Sequence, residues 1–406
     1  MGFLKTTSFP QIRELLESGC IVPPAERISV LNHSTVGSRS KDLIREDSWI
    51  VGWGHVKRSS APEDDTFSIY TPDFFLEESN PWASFQFIQT LSRVELLQEL
   101  ETFLVHLGCR IDQSSPYFLW ESPRFKDFEK VFTGIQEQIS QGILKKAVPV
   151  VFLQSSEFKN PETLLIQRAY LLLQLLKNTQ GTPVYLYGWW DSGGNGILGA
   201  TPELLFTQSS ESQIQTMALA GTRVKTEGSH GVGVDSLLDD PKERLEHQIV
   251  VDSIQSSLNP LGRVLISQTQ ELHLQTLVHL HTPISLQLES STLSSNFSSW
   301  VRALHPTPAL GAYPKESGWT WLKAQDSDAK RHRFGAPFGV FFNRNSSYCL
   351  VAIRNLQWIA GRLLMGAGCG VVGSSQLERE WTEIQGKLQA IHRSFGFDLR
   401  NEARFL

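Results

Sequence analysis

Apolar positions along the chain switch between two periods, and each switch marks an element. Between Phe125 and Gln141 they recur at Phe128, Val131, Phe132, Ile135 and Ile139, the spacing of a helix that buries one face. Gly142 follows, a residue favoured just past a helix end. The apolar run Lys145–Leu153 predicts a strand, and Pro149 within it predicts an edge or a bulge, because proline donates no ladder hydrogen bond. Pro183–Tyr187, Gly196–Phe206 and Gln213–Leu219 read as successive strands separated by Gly- and Ser-rich turns. Pro241 opens a helix through about Ser257, a position where its missing N–H costs nothing. Ser285–Ser299 is polar and Ser-rich, which predicts a surface loop or the approach to a helix. Ser347–Asn355 and Leu356–Gly368 read as a hairpin, and Glu380–Phe395 as a terminal amphipathic helix. Strands and helices come in mixed order without βαβ alternation, so the predicted class is α+β. The first ~120 residues give short apolar runs (68–70, 85–88) and one helical pattern over Leu91–Leu107, with no catalytic cluster.

Composition narrows the function classes. Of 406 residues, 40 % are hydrophobic and 19 % charged, an ordinary globular balance that argues against disorder. A net charge of −5 speaks against a nucleic-acid surface, which would show basic clustering, but not against a small anionic substrate. The four cysteines are scattered without a CxxC pair, so neither a zinc knuckle nor a disulfide framework is indicated. The first residues lack the pattern of a secretory signal, and no run approaches the ~18 apolar residues of a membrane span. A cytoplasmic protein without a membrane or nucleic-acid partner is expected, monomeric or weakly dimeric.

Three acidic groups carry candidate chemistry. Glu243 and Glu246, three apart on the Pro241 helix, project from nearly one face, and Glu380 and Glu383 repeat the spacing near the end with Lys387 one turn on. Each pair fits either a solvated helix face or half of a hard-cation site. Glu203 sits beside Pro202 against an apolar strand; buried, its pKa would rise and suit it to proton donation, whereas at an edge it would face water. The glycines of Gly366–Val371 allow either a plain turn or a close backbone approach to a carboxylate. Arg354, ending an apolar strand, needs an acidic partner, which a substrate carboxylate or a structural acid would supply.

Taken in order, the segments resemble the chorismate-binding superfamily of isochorismate, salicylate, anthranilate and aminodeoxychorismate synthases. The residues that carry this are GATPELLF around Glu203, Ala220-Gly221-Thr222-Arg223, the helix from Asp240 to His247, His305-Pro306-Thr307-Pro308-Ala309, Arg333–Gly339, AIR at Arg354, GCGVVGSS from Gly368 and EWTE from Glu380. The likeness runs from about residue 120 to 395, so residues 1–120 are expected to be a divergent part of the same fold and 121–406 the catalytic region. The fold it implies has large antiparallel sheets in a layered core flanked by helices.

Within that family, Lys146 stands where water-adding members carry a lysine, Ala220 stands where aminodeoxychorismate synthases carry one, and HPTPA is typical of isochorismate synthases. The resemblance therefore implies a magnesium-dependent isochorismate synthase acting on chorismate, with a menaquinone role as the default. Lys146 would be the general base toward water and Glu203 the acid toward the departing hydroxyl. Glu246 and Glu383 would hold Mg²⁺, with Glu243 and Glu380 auxiliary. Ala220, Gly221, Thr222, His305, Arg354 and Gly368 would bind substrate, although a satisfied structural role for His305 fits equally well. Pro149 replaces the family's pattern after Lys146, which leaves open whether Lys145 or Lys146 faces inward. Salicylate synthesis and a non-catalytic binding role are the rival readings.

Overall fold

The computed structural model describes residues 9–28, 47–63, 66–110, 118, 120–121, 123–157, 160–225, 236–289, 296–326 and 330–397. Among these, seventeen strands hydrogen-bond into one antiparallel network and three short ones form a second sheet. The class is α+β, and its layering follows from side-chain alternation. In Tyr185–Trp190 every residue is buried, but Tyr185, Tyr187 and Trp189 join one apolar cluster while Leu186 and Trp190 join another. In Gln213–Val224, Met217 and Leu219 join that same inner cluster, whereas Ile214, Ala218 and Ala220 turn to a third. Because successive residues of a strand face opposite ways, the inner cluster lies between two sheet layers. Each layer carries helices on its outer face, Pro161–Asn178 with Leu171, Leu172 and Leu175 on one and Pro241–Leu258 with Val250 and Ile254 on the other.

The first part of the chain is woven into these sheets. Gly19–Val22 pairs with both Ser48–Ser59 and Tyr185–Trp190, and Ser68–Tyr70 pairs with Pro337–Asn343. The helix Arg93–His106 is closed at its start by a capping box in which Ser92 and Glu95 satisfy each other's backbone N–H groups.

Several predicted boundaries move. The run Lys145–Leu153 is not one strand: Lys146–Ala147 belongs to the small sheet and Val150–Ser155 to the large one, with Pro149 at the break. Gly196–Phe206 splits likewise at Pro202-Glu203 into Gly196–Thr201 and Leu204–Ser210. Ser285–Leu288 is strand, not loop, because Leu277–Leu288 continues its pairing with Gln213–Val224; residues 290–295 lie outside the described ones. The late hairpin is Asn355–Ile359 with Arg362–Gly368, turning at Ala360-Gly361, while Ser346–Val351 pairs instead with Pro337–Asn343. The terminal helix begins at Leu377. No helix of the described residues is long and apolar enough to cross a membrane.

Candidate active site

The starts of two helices gather a cluster of buried acids. Asp240 caps the helix Pro241–Leu258, its side chain accepting from the Lys242 and Glu243 N–H groups. That start sets the helix phase so that Glu243, Glu246 and His247 are buried. The helix Leu377–Ser394 buries Glu380 and Glu383 in the same way. The two helix faces meet around an ammonium: Lys242 Nζ lies 3.1 Å from Glu243 Oε1, 2.9 Å from Glu246 Oε2 and 3.1 Å from Glu380 Oε1. Lys387 Nζ bonds Glu383 Oε1 and the Gly368 carbonyl, both at 2.6 Å.

Lys146 is wholly buried and its Nζ stands 3.1 Å from Glu246 Oε1. It is turned inward by a small sheet in which it pairs with Tyr313 on one side and Val372 on the other. Its neighbour Lys145 is exposed. Gly370 belongs to this contact, because a Cβ there would collide with the Glu246 carboxylate and the Lys146 side chain. Glu203, at the break between two strands, is 4 % exposed and its N–H donates to Thr201 Oγ1 at 3.1 Å. Burial pushes its carboxyl up to about 7, against the opposing pull of Lys146, Arg354 and Lys387.

A cleft is lined by Glu203, Ala220, Gly221, Thr222, Glu246, His279, Arg354, Gly368, Gly370 and Lys387 with an apolar rim including Leu310 and Phe334. Of the sequence candidates, Lys146 lies behind Glu246, and Glu243, Glu380 and Glu383 lie behind the wall around the lysines. Glu243 is partly spent on structure, its Oε2 accepting from the Thr222 N–H at 2.8 Å. His305 is not on this wall: it is buried, its Nε2 lies 2.7 Å from the Phe74 carbonyl, and its ring meets Phe74 edge-on at 5.0 Å. Of the two readings the sequence leaves open for His305, these contacts favour the structural one.

His279 was not singled out in the sequence. Its Nδ1 faces Thr222 Oγ1 at 3.0 Å and the Gly221 carbonyl at 3.3 Å, and its Nε2 faces Arg354 Nη2 at 3.4 Å. Burial and the Arg354 charge hold its pKa well below the usual range, so it is neutral, with Nδ1–H donating and Nε2 accepting from Arg354. His247 is also neutral, lowered to about 4 by burial, and bridges the Ala220 carbonyl and Thr282 Oγ1. A buried imidazole within an apolar strand needs polar partners, which is the signal that marks Val278-His279-Leu280.

The carboxylate cluster also bears on metal binding. Burial together with neighbouring carboxylates raises the pKa of Glu243 and of Glu380, with Lys242 opposing both, while Lys146 and Lys242 overcome burial to lower Glu246. Glu380 Oε2 is buried without a hydrogen-bond partner. The carboxylates face the ammonium groups of Lys146, Lys242 and Lys387, and their oxygens are the kind of donor a hard divalent cation takes. Among the described residues no three such side chains are arranged as metal ligands, and the Lys242 ammonium stands where three of them converge. Lys242 is the cation that these three carboxylates share.

Two helices of buried acids and an inward lysine thus meet beside one cleft of this layered fold. The chain belongs to the chorismate binding enzyme family, whose model matches residues 87–396. It is 34 % identical over 207 residues to the salicylate biosynthesis isochorismate synthase of Pseudomonas aeruginosa, covering 50 % of this chain and 42 % of that protein. It is 28 % identical over 302 residues to isochorismate synthase MenF of Bacillus subtilis, covering 68 % of this chain and 60 % of that one. The matches thus span about half the length of these curated relatives. The solved menaquinone-specific isochorismate synthase MenF of Escherichia coli superposes with a TM-score of 0.70 at 18 % identity, covering 97 % of this chain and 93 % of the other. Anthranilate synthase component I of Streptococcus pneumoniae follows at 0.61 and 15 %, covering 96 % and 86 %. These two likenesses establish the fold.

Proposed function

We propose that the chain converts chorismate to isochorismate, with water adding at C2 of the ring and the C4 hydroxyl leaving. The observation that carries this reading is a buried carboxyl held near neutral pKa, Glu203, on the wall of a cleft whose Glu246 pairs with the buried Lys146. Lys146 takes a proton from the attacking water, and Glu203 gives its proton to the departing hydroxyl, which leaves as a second water. The two groups thus work at opposite ends of one conjugated system. Arg354 holds a substrate carboxylate, with neutral His279 accepting from the same guanidinium and Gly368 lining the same cleft.

Glu246 and Glu383, with Glu243 and Glu380 as auxiliaries, would hold Mg²⁺, which supplies positive charge against the ring carboxylate. The residue at position 220 is alanine and Lys146 is in place, so water rather than ammonia is the nucleophile. The names of the Bacillus and Escherichia proteins support menaquinone synthesis as the use of the product. The Pseudomonas relative's name favours a second reading, in which isochorismate goes on to salicylate. Purified protein incubated with chorismate and Mg²⁺ tests both by chromatography. Isochorismate as the product supports the first, fluorescent salicylate moves the assignment to the second, and unchanged chorismate refutes both.

A further inference from the structure

Arg354 has a backbone that side chains rarely adopt: its φ is 54°, in the left-handed region. A residue with a Cβ is strained there, so its surroundings must hold it. Two polar side chains do so, Tyr187 and Asn355, both wholly buried and neither part of the cleft wall. Tyr187 Oη donates to the Ile353 carbonyl at 3.0 Å. Asn355 Nδ2 donates to Tyr187 Oη at 3.0 Å and to the Ala352 carbonyl at 2.6 Å. The Arg354 carbonyl itself accepts from the Ala200 N–H at 3.2 Å, so three consecutive carbonyls are tied down. Gly199, paired with Asn355 across the strands, leaves the space: a Cβ there would stand 2.7 Å from Asn355 Cβ and 2.9 Å from Tyr187 Oη.

The backbone matters because Arg354 stands between two cavities. Arg354 lines the cleft with Glu203 and His279, and it also lines a second cavity walled by Asn178, Thr179, Pro202 and Ala390. A relaxed turn would free the side chain to leave its contact with His279 for the other side. Asn355 Oδ1 is buried without a partner, an unfavourable state that packing alone gives no reason to keep.

We propose that Tyr187 and Asn355 are positioning residues, a buried hydroxyl–amide pair that locks the Arg354 turn and so aims the guanidinium at a substrate carboxylate. The proposal rests on the reading of the cleft as a chorismate site. It is tested by a double-mutant cycle on chorismate affinity, measured by calorimetry in a Glu203→Gln background that blocks turnover. With Arg354 present, Tyr187→Phe should weaken binding about tenfold, the usual size of coupling between residues in one network. With Arg354→Ala it should change affinity less than about twofold. Asn355→Ala should behave in the same way in both backgrounds. Equal weakening with and without Arg354 would assign the pair to the fold alone and overturn the proposal. A crystal structure of Tyr187→Phe reads the same point without ligand. The Arg354 guanidinium is expected to leave His279, and an unchanged turn and contact overturn the proposal whether or not chorismate binds. Absence of chorismate binding to the Glu203→Gln parent sinks the reading of the cleft instead, and the crystal structure then decides the positioning role.

Discussion

Glu203 ties stability to chemistry, and glutamine at that position separates the two. The carboxyl titrates at 4.5 when exposed and is raised to about 7 in the fold, chiefly by burial. Between those values the folded chain keeps a proton that the unfolded chain has released. Stability therefore falls as pH rises from about 4.5 to 7 and levels off above. The shift of about 2.5 units corresponds to about 3 kcal/mol at pH 8, and to under ~1 kcal/mol at pH 5, at about 1.36 kcal/mol per unit. Glutamine has no proton to lose, so Glu203→Gln should gain on the native protein by amounts of that order. Urea titrations of both proteins at pH 5 and pH 8, in metal-free buffer, measure the two differences. An equal difference at both pH values would refute the claim that burial holds a proton on Glu203. The same substitution should cost about 10²–10⁴-fold in kcat, the usual worth of a general acid. Native kcat/KM for chorismate should fall about tenfold per pH unit once the pH exceeds the Glu203 pKa. The variant is thus expected to be more stable and nearly inactive, a combination that lost packing would not produce.

Other outcomes follow from the lysines and the acid cluster. Lys146→Ala should lose about 10²–10⁴-fold in kcat under saturating chorismate and Mg²⁺, while Lys145→Ala stays within a few-fold; near-native turnover of both would remove the water-activating lysine from the mechanism. EDTA should abolish turnover, and Glu246→Gln or Glu383→Gln should do so at ordinary Mg²⁺. Glu243→Gln should be milder, because one of its oxygens serves the Thr222 N–H; full activity in metal-free buffer would contradict the role given to the cluster. Ammonium salts should yield no aminated product by mass spectrometry, and amination at rates comparable with hydroxylation would overturn the choice of nucleophile.

How far the site could be read in advance depended on the kind of signal each residue carries. Glu243 and Glu246, like Glu380 and Glu383, share a helix face by spacing alone, but spacing within one helix cannot reveal that two such faces meet. That took the ordered motifs. Lys242 shows the limit: spacing along the chain gives it no special place, yet in three dimensions it is the hub of three carboxylates. His279 left only a weak trace, because polar partners of a buried strand residue come from elements distant in sequence, here Thr222 and Arg354. The strand boundaries failed for a related reason. Apolar runs such as Gly196–Phe206 are buried on both faces, so no alternation marks the interruption at Pro202-Glu203.

The two adjacent lysines are the case where chain chemistry leaves a real ambiguity and pairing removes it. Lys145 and Lys146 are the same residue type, and a one-residue slip would exchange them. Pro149 is a plausible cause of such a slip only if it lies in the same strand. It does not: the paired segment ends at Ala147, and Val150 opens a strand in another sheet. Lys146 is fixed from both sides, opposite Tyr313 and Val372, before the chain reaches the proline. Lys145, whose N–H donates to the Tyr313 carbonyl at 2.7 Å, is left outside with its ammonium 5.8 Å from the Tyr313 ring centre. Moving it inward would require breaking the Lys146–Glu246 pair and the Ala312 and Val371 pairings of Ala147 together. The proline therefore separates the buried lysine's register from that of the following strand, and leaves the register itself unchanged.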